Sequence, residues 1–419
     1  MKSQFKFLKW GCLISLAIVV CLFIVLYISV SAFPNFGAQS SDFLRGIIGD
    51  QATAQIEMVI FQVQDTVHQV EYNLGLQKAQ APWQAAVLTP SATVQDKPAP
   101  ATPSAAPSSI PTFETATPEV TLTPRPTASP TAVPWMPGPV TAQGTLQGEG
   151  VWTPYISDDA GQTVAYRTFI QPDPKRPYTL VAIVAFDLSR TRLGYVLGKI
   201  DPTLKRTVTP ARSGMIPKAD FRPDLLLATF NGGFKGEHGA FGAMSDGIVA
   251  IPARTGLATV AIYNDGTVKM GEWGKDILPS PQILAWRQNC RLVIQDSQIN
   301  PLVYVDSAEY WGANLNGATV TWRSGLALSA DENTLYYFAG PSMKAGILAQ
   351  AMMASGVKVG MQLDINNYWV HFAAVRSDGS KMIADPLFPV DMKFDVDRYL
   401  KPYARDFFYV VLKNVTPPQ

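Results

Sequence analysis

Apolar residues are most concentrated near the start of the chain, where an uncharged run covers residues 10–30. It follows Lys2, Lys6 and Lys9. A helix of about 20 apolar residues spans the hydrocarbon core of a bilayer, and flanking basic residues favour the cytoplasmic side. The pattern predicts that residues 1–34 form a short cytoplasmic tip and a single-pass anchor in the cell membrane.

A cleaved signal peptide is the alternative interpretation of this segment, with Val30-Ser-Ala32 as its cleavage site. The apolar region of a signal peptide usually covers only about 7–15 residues, so an uncleaved anchor is preferred. The anchor would contact the membrane through residues 10–30. Under either interpretation, the rest of the chain lies outside the cytoplasm.

Residues 35–88 show a different pattern, in which apolar residues recur at alternating spacings of four and three. The residues in this seam are Ile56, Ile60, Val63, Val67, Val70 and Leu74. The pattern predicts an amphipathic juxtamembrane helix with a heptad seam. One hypothesis is that residues 56–74 mediate homo-oligomerisation. The alternative is a helix that lies on the folded domain or on the membrane surface.

Residues 89–147 are dominated by proline, threonine, alanine and serine, as in Pro98-Ala-Pro-Ala-Thr-Pro103. A segment of this composition buries too little apolar surface to fold. Its prolines favour an extended conformation. We therefore predict a disordered linker that holds the following domain away from the membrane.

Short apolar runs bounded by turn residues predict a folded domain over residues 148–419. The run from Tyr178 to Phe186 is typical of a buried strand. Hairpins are predicted around Asn264-Asp-Gly266 and Asp331-Glu-Asn333, because these turn residues separate pairs of short apolar segments.

The clearest helix of the domain is predicted from Ser342, as its N-cap, to Ser355, with Gly356 just after its end. Alternating residues at 357–363 predict a half-buried strand, and residues 407–412 predict a strand that closes the sheet. Many strands and few helices indicate an α+β fold, with a mixed, largely antiparallel sheet and a few packed helices.

Charge and cysteine content exclude several classes of function. The formal net charge of the 419 residues is +1, so no global field attracts nucleic acid. The three cysteines are Cys12, Cys21 and Cys290. Only Cys290 follows the apolar segment, so the later chain can form neither a disulfide framework nor a thiolate metal cluster. We interpret Cys290 as a small buried apolar residue.

Polar chemistry is densest after the apolar run that ends at Phe230. The candidate site residues of this loop are Asn231, Gly232, Gly233, Lys235, Glu237 and His238. Glycines there would permit positive φ and a close backbone approach to a ligand. Loops that leave rigid strands often carry sites. The alternative is a tight turn with solvated charges.

Two further groups follow, one around Arg323 and one around Asp364. In Trp322-Arg-Ser-Gly325 the guanidinium next to an aromatic residue suits a phosphate. In Leu363-Asp-Ile-Asn-Asn-Tyr-Trp369, followed by His371, the aspartate suits a general base or a nucleophile. Trp369 could stack on a sugar ring. Alternatively, the arginine pairs a structural carboxylate, the aspartate caps a turn, and Trp369 and His371 belong to the core.

These segments resemble the phosphodiester glycosidase family, which includes the lysosomal uncovering enzyme and many bacterial envelope proteins. The resemblance rests on Asn231-Gly-Gly-Phe234, on Trp322-Arg-Ser-Gly325, and on the predicted helix that leads to Asp364. It covers nearly all of residues 148–412. It implies an α+β fold and cleavage of a sugar from a sugar-1-phosphodiester, with Asn231, Arg323 and Asp364 as site residues.

The turn after Asp364 departs from the family pattern. The family has a turn of the form Asp-Gly-Gly-Gly-Ser, whereas this chain has Asp364-Ile-Asn-Asn-Tyr-Trp369. Bulky side chains replace glycines that would let backbone N–H groups approach a phosphate. Asn366 and Asn367 are the candidate replacement donors, and we predict a different substrate pocket.

The residues suggest the following roles. Arg323, with Lys235, would hold the phosphate, and Asp364 or Glu237 would attack the anomeric carbon or activate water. Asn231 and His238 would bind sugar hydroxyls or shuttle a proton. No cofactor is required.

A divalent cation could use oxygen ligands from Asp364, Asn366 and Asp246, although nothing in their spacing demands one. The predicted function is therefore a membrane-anchored, extracytoplasmic hydrolase acting on sugar phosphates of an envelope glycan or exopolysaccharide. One alternative is an inactive module with the same fold that binds an envelope polymer. Another is a structural envelope scaffold.

Overall fold

The structure is a computed structural model that describes residues 40, 43–83, 134–204, 210–305, 308–311 and 319–413. Its described part contains three sheets and few helices. All strand pairs within these sheets are antiparallel. The sheet-dominated α+β fold predicted from the sequence is thus confirmed at this level, with three sheets in place of one.

The largest sheet has eight strands. Their order is β1 (Thr153–Ser157), β2 (Thr163–Ile170), β3 (Val181–Asp187), β14 (Thr334–Met343), β13 (Thr321–Leu328), β15 (Val359–Ile365), β11 (Leu292–Gln295) and β12 (Gln298–Ile299). Every residue of β3 is buried, as its continuous apolar run predicts.

The other two sheets have five strands each. The second has the order β7 (Ile248–Ile251), β6 (Ala243–Ser245), β10 (Ile283–Gln288), β8 (Ala258–Tyr263) and β9 (Val268–Glu272). The third has the order β17 (Lys381–Pro386), β16 (Phe372–Asp378), β5 (Leu226–Asn231), β18 (Phe407–Leu412) and β4 (Thr191–Val196). The last predicted strand, β18, does not close its sheet, because it lies between β5 and β4.

Both predicted hairpins are present. Asn264-Asp-Gly266 connects β8 to β9, and Gly266 supplies the positive φ of the turn, 83°. The turn around Asp331 connects β13 to β14. In both cases, local turn chemistry was sufficient to predict which segments pair.

Two details around the C-terminal half of the first sheet correct the prediction. Helix α3 (Ala345–Ala354) begins after Lys344, and Ser342 is instead the penultimate residue of β14, with a φ of 52°, so Ser342 is not the N-cap. Strand β15 is buried on both faces rather than half-buried. The reason is that α3 covers its second face, where a Cβ at Gly360 would lie 2.7 Å from Met352 Sδ.

The predicted juxtamembrane helix includes α1 (Asp50–Asn73), and it packs against the domain. Asp65 accepts hydrogen bonds from the guanidinium of Arg176 and, at 2.7 Å, from the hydroxyl of Tyr178. Phe61 packs against the core beneath the helix. Of the two interpretations offered by the sequence, the described contacts agree with a helix that lies on the folded domain.

Half of the heptad seam points away from that contact, whereas Ile56, Ile60 and Val67 are partly buried. Val63, Val70 and Leu74 are 42%, 50% and 68% exposed, because Phe61 and Asp65 occupy the face turned to the domain. Self-association through residues 56–74 therefore stays a prediction.

The globular part extends to Trp135, before the predicted boundary at Gly148. The ring of Trp135 contacts Tyr166, and Thr141 donates a backbone hydrogen bond to Ala354. Residues 89–133 of the predicted linker, together with residues 84–88 before it, lie outside the described part of the chain. A further short helix, α2 (Ala308–Trp311), precedes the strands of the site.

No helix among the residues that the structure describes is long and apolar enough to cross a membrane. The predicted anchor, residues 10–30, lies outside those residues.

Candidate active site

Two of the three predicted polar groups meet where the third sheet contacts the first. Asn231 is the last residue of β5, and Asp364 lies near the end of β15. Ser324 of β13 joins them: its hydroxyl accepts from Asn231 Nδ2 at 2.9 Å and contacts the backbone N–H and C=O of Asp364 at 3.2 and 3.1 Å. Residues from motifs that are far apart in the sequence thus lie together in one cluster.

The Asn231 side chain is fully used in binding other parts of the protein. Its Oδ1 accepts from the Tyr337 hydroxyl at 2.9 Å and from the His371 backbone N–H at 3.1 Å. Its Nδ2 donates to Ser324 and to the Gly232 carbonyl. An amide has two donors and one oxygen with two lone pairs, so Asn231 acts in this geometry as a positioning residue that ties four strands and loops together.

The glycines after Asn231 provide close approach, but not to a ligand. Neither Gly232 nor Gly233 has a positive φ. A Cβ on Gly232 would lie 2.2 Å from Asp406 Oδ2, and a Cβ on Gly233 would lie 3.0 Å from Arg287 Cζ. The backbone is therefore pressed against a buried ion pair, and only glycine fits there.

That ion pair joins Asp406 and Arg287, both of which are completely buried. Arg287 Nε lies 2.8 Å from Asp406 Oδ2, which also accepts from the Tyr195 hydroxyl at 2.9 Å and the Gly233 N–H at 3.3 Å. Arg287 also donates to backbone carbonyls, including that of Phe241 at 3.3 Å. The pair thus fixes the loop after β5 from beneath.

A second ion pair lies at the predicted site, between Asp364 and Arg405. Arg405 Nη2 donates to Asp364 Oδ2 at 2.7 Å and to the Gly233 carbonyl at 2.9 Å. The Arg405 guanidinium also lies 4.2 Å from the ring centroid of Trp369, and Lys235 Nζ lies 5.6 Å from the same centroid. A carboxylate, two cations and an aromatic ring therefore converge.

The Asp364 carboxyl has an altered acidity. Its side chain is 6% exposed, and burial raises its pKa from 3.8 to about 6. Arg405 opposes this rise in pKa because it stabilises the charged form, as does the Ile365 N–H at 2.8 Å. Asp364 is thus mostly ionised at neutral pH and can exchange a proton near it. A carboxyl with a shifted pKa next to a specific cation is a common feature of functional sites.

Arg323 lies away from this pair. Its guanidinium donates to the Met343 carbonyl at 2.9 Å, to Gln362 Oε1 at 2.7 Å and to the Thr319 carbonyl at 2.7 Å. Complete burial lowers its pKa to about 10. The cation next to Asp364 is therefore Arg405, and Arg323 braces the start of β13 against neighbouring backbone.

The two histidines predicted for the site have different surroundings. His371 is 1% exposed, its Nε2 lies 3.2 Å from the Val396 carbonyl, and burial followed by the nearby Arg398 charge lowers its pKa well below the usual value. It is a neutral core residue. His238 lies with Glu237 in a short 3-10 helix, and their side chains are 3.8 Å apart.

The turn after Asp364 is organised by Asn366. This residue has a φ of 79°, and its Oδ1 accepts from the Tyr368 N–H at 3.0 Å. Asparagine tolerates the left-handed region better than most residues, so it fills a position that suits glycine. Asn367 lines a cavity of about 170 Å³ whose other wall includes residues of α1, such as Phe61.

The described residues contain no group of three or more histidine, cysteine or acidic side chains that could hold a metal ion. Asp246, one of the suggested ligands, lies in the turn after β6 and lines a different cavity from the Asp364 site. The suggested cation set is therefore not brought together as one acidic cluster in the part of the chain that is described.

Sequence reasoning missed Arg405, Asp406, Arg287 and Tyr337. The first two form a charged dipeptide immediately before the buried strand β18. Charged residues at that position are usually solvated, so their pairing with Asp364 and Arg287 depends on long-range contacts. Ser324 lies within Trp322-Arg-Ser-Gly325, but nothing in that pattern pointed to its contacts with Asn231 and Asp364.

Comparisons with known proteins give only distant similarities. No family model and no curated protein matches the sequence. The structure is similar to the catalytic domain of zebrafish N-acetylglucosamine-1-phosphodiester alpha-N-acetylglucosaminidase, auto-inhibited by its pro-peptide, at 14% identity and a TM-score of 0.37, over 65% of this chain and 87% of the other. It is also similar to a hypothetical protein from Synechocystis at 9% identity and a TM-score of 0.34, over 62% of this chain and 64% of the other.

Proposed function

We propose that this chain hydrolyses a sugar-1-phosphodiester of an envelope glycan or exopolysaccharide. The observation that carries the proposal is the Asp364–Arg405 pair, 2.7 Å apart, with the Arg405 guanidinium 4.2 Å from the centroid of Trp369. The resemblance of three sequence motifs to the phosphodiester glycosidase family supports the same activity.

In this proposal, the phosphate binds to Arg405 with help from Lys235. Arg405 uses Nη2 for Asp364 and Gly233, and neither Nη1 nor Nε donates to any described residue. These donors suit two oxygens of a phosphate. Arg405 thus takes the role that the sequence suggested for Arg323.

Asp364 acts as the base or the nucleophile. With a pKa of about 6 it is ionised at neutral pH. It either takes a proton from the attacking water or forms the bond to the anomeric carbon itself, and the C–O bond to phosphate breaks in both cases. In the second case, water then attacks the anomeric carbon, breaks its bond to Asp364 and releases the sugar. The departing phosphomonoester carries the electron pair and needs little acid assistance. Trp369 stacks on the sugar, while Asn231 and Ser324 hold the ends of β5, β13 and β15 in place.

The experiment offers a panel of sugar-1-phosphodiesters and simple glycosides to the full chain, purified in detergent. Residues 43–83 are kept because α1 packs on the domain. Asp364→Asn is compared with the wild type and with Asp296→Asn, since Asp296 is an exposed residue in the turn between β11 and β12. Release of sugar from the phosphodiesters alone, with this activity lost only in Asp364→Asn, supports the proposal. If the wild-type chain releases sugar from none of the phosphodiesters, the proposal is contradicted.

An inactive glycan-binding module is the second candidate, and the bulky turn from Asp364 to Trp369 is the observation in its favour. In that case the wild-type chain would bind an envelope polymer without cleaving it, and Trp369→Ala would weaken the binding.

Location and assembly are also proposals. We place the domain outside the cytoplasm on an anchor at residues 10–30, which protease accessibility in intact cells tests.

The exposure of Val63 and Val70 supports self-association through residues 56–74. Loss of cross-linked dimers in Val63→Asp with Val70→Asp, and their retention in Gln62→Ala, would support it.

A further inference from the structure

A cavity of about 450 Å³ lies between the edge strand β4 and the second sheet. Strands β6 and β8 both pair antiparallel with β10, with Ser245 opposite Ala285 and Tyr263 opposite Ile283. β6 and β8 therefore run in the same direction, and the turns that follow them lie at the same end of the second sheet. These two turns form one wall of the cavity, called the turn wall.

The turn wall carries polar side chains with unused hydrogen-bonding capacity. Asp246 and Asn264 are exposed, and neither the Asp246 carboxylate nor the Asn264 amide hydrogen-bonds to any residue that the structure describes. Asp265 uses Oδ1 for the Thr267 N–H at 2.8 Å. Tyr263, next to Asn264, adds a half-buried ring to the same wall.

The opposite wall includes residues of β4 and β18. It is held in a fixed geometry by Asp220, which is 5% exposed. One of its oxygens accepts from the guanidinium of Arg192, and the other accepts from the Tyr409 hydroxyl at 2.7 Å. The Arg192 charge is thus neutralised by a buried partner. The wall is polar and rigid before any ligand binds.

The charge of the lining argues against an anionic ligand. Three carboxylates, Asp220, Asp246 and Asp265, face two cations, Arg192 and Lys413. The sum is 2 − 3 = −1, so a phosphate would meet net repulsion in the cavity. Carboxylates accept hydrogen bonds from sugar hydroxyl groups, and an amide can both donate to such groups and accept from them. An aromatic ring adds apolar contact for a sugar face.

We propose that this cavity is a second binding site, specific for a neutral, hydroxyl-rich sugar unit of a glycan. Its volume lies within the usual range of ligand sites, about 300–1,000 Å³. Tyr409, which lines the cavity, is four positions after Arg405 in the chain, roughly 13 Å at about 3.3 Å per residue. The proposal stands without the proposed hydrolysis, because it needs only binding.

The test measures binding of chitohexaose, cellohexaose and maltohexaose to the full chain in detergent by calorimetry. Asp246→Asn removes the charge but keeps a residue that tolerates the φ of 52° at this position. Asn264→Ala removes the amide. Asp296→Asn is the matched control, because Asp296 also lies exposed in a hairpin turn with a φ of 49°. We expect about tenfold weaker binding of at least one sugar in each cavity variant and no change in the control.

The Asp364→Asn variant separates the two sites, because it should keep the calorimetric binding while losing any hydrolysis. Absence of binding of all three sugars to the wild-type chain overturns the proposal. So does equal binding by wild type, Asp246→Asn and Asn264→Ala. Binding of inorganic phosphate or calcium in the same cavity without sugar binding also overturns it.

Discussion

The Asp364 carboxylate accepts a 2.7 Å hydrogen bond from Arg405 Nη2, and the same nitrogen donates to the Gly233 carbonyl at 2.9 Å. Arg405 therefore links the end of β15 to the loop after β5. It also controls the acidity of Asp364, because burial raises the pKa of that carboxyl while the guanidinium lowers it. The position of the loop and the charge state of the carboxyl thus depend on one side chain.

Replacing Arg405 with glutamine should move the acid limb of the activity profile to higher pH. Burial already raises the pKa of Asp364 to about 6, and loss of the nearby cation raises it further, by roughly 1–3 units. Because the proposed reaction needs ionised Asp364, activity falls as pH drops through this pKa. The measurement is kcat/KM against pH for sugar-phosphodiester hydrolysis.

Arg405→Lys is the control for that prediction, since it keeps the positive charge and should leave the acid limb closer to its original position. An unchanged limb in Arg405→Gln, in a variant that remains folded and active, would show that Asp364 is not the titrating group.

Breaking the Arg287–Asp406 pair should destabilise the fold strongly. Both side chains are 0% exposed, so Arg287→Met leaves a carboxylate buried without its cation. We expect the free energy of unfolding to fall by about 3–5 kcal/mol. The exposed pair Arg222–Asp224, with side chains 52% and 45% exposed, provides the control. Arg222→Met should cost at most about 1 kcal/mol. Urea denaturation of both variants compares them, and similar losses would contradict the assigned importance of burial.

The parts of the fold that were predictable from sequence depend on local chemistry. Asn264-Asp-Gly266 specifies a tight turn by itself, so the β8–β9 hairpin was identifiable. The division into three sheets was not, because β5 pairs with β18 and β16, which lie far away in sequence. The sequence also did not show which faces of the strands are covered. Gly360 of β15, for example, gave no sign that Met352 of α3 lies above it.

The site was predictable to a similar extent. Asn231 and Asp364 were identified and do lie in one cluster, joined by Ser324. Arg323 was given the role of the cation, but neighbouring residues of a strand point to opposite faces. Since Ser324 faces Asn231, Arg323 faces away. Arg405 could not be found in this way, because a charged residue before a strand becomes buried only through tertiary contacts.

Gly232→Ala should destabilise the protein through a steric conflict with Asp406. The added Cβ would lie 2.2 Å from Asp406 Oδ2, and the neighbouring ion pair is buried too deeply to move aside easily. We expect a loss of about 1–3 kcal/mol, typical of overpacking. Gly46→Ala is the control, because nothing lies within 4 Å of a Cβ at that position. Thermal unfolding checks both, and equal melting temperatures would refute the close approach.

Asp65→Ala should loosen α1 from the domain. Asp65 accepts from Arg176 and, at 2.7 Å, from the Tyr178 hydroxyl, so the change removes both bonds and leaves a partly buried guanidinium. Hydrogen bonds to charged groups contribute about 1.5–3 kcal/mol. Amide hydrogen exchange in α1 should therefore accelerate at least about tenfold. Gln62→Ala, on the exposed face of the same helix, should leave exchange unchanged. Because alanine favours a helix more than aspartate or glutamine does, unchanged exchange in Asp65→Ala would show that these two hydrogen bonds do not hold α1 on the domain.

Asn366 allows a direct comparison of its two contributions to the turn after Asp364. Its φ of 79° lies in the left-handed region, and its Oδ1 holds the Tyr368 N–H at 3.0 Å. Asn366→Gly loses the side-chain bond but relieves the backbone, so we expect it to be close to wild type in stability. Asn366→Ala loses the bond and keeps the strain, at a cost of about 1–2 kcal/mol. Urea denaturation measures the difference between the two variants. If alanine is as stable as glycine, backbone conformation does not restrict this position, and the asparagine has to be explained by contacts with a ligand instead.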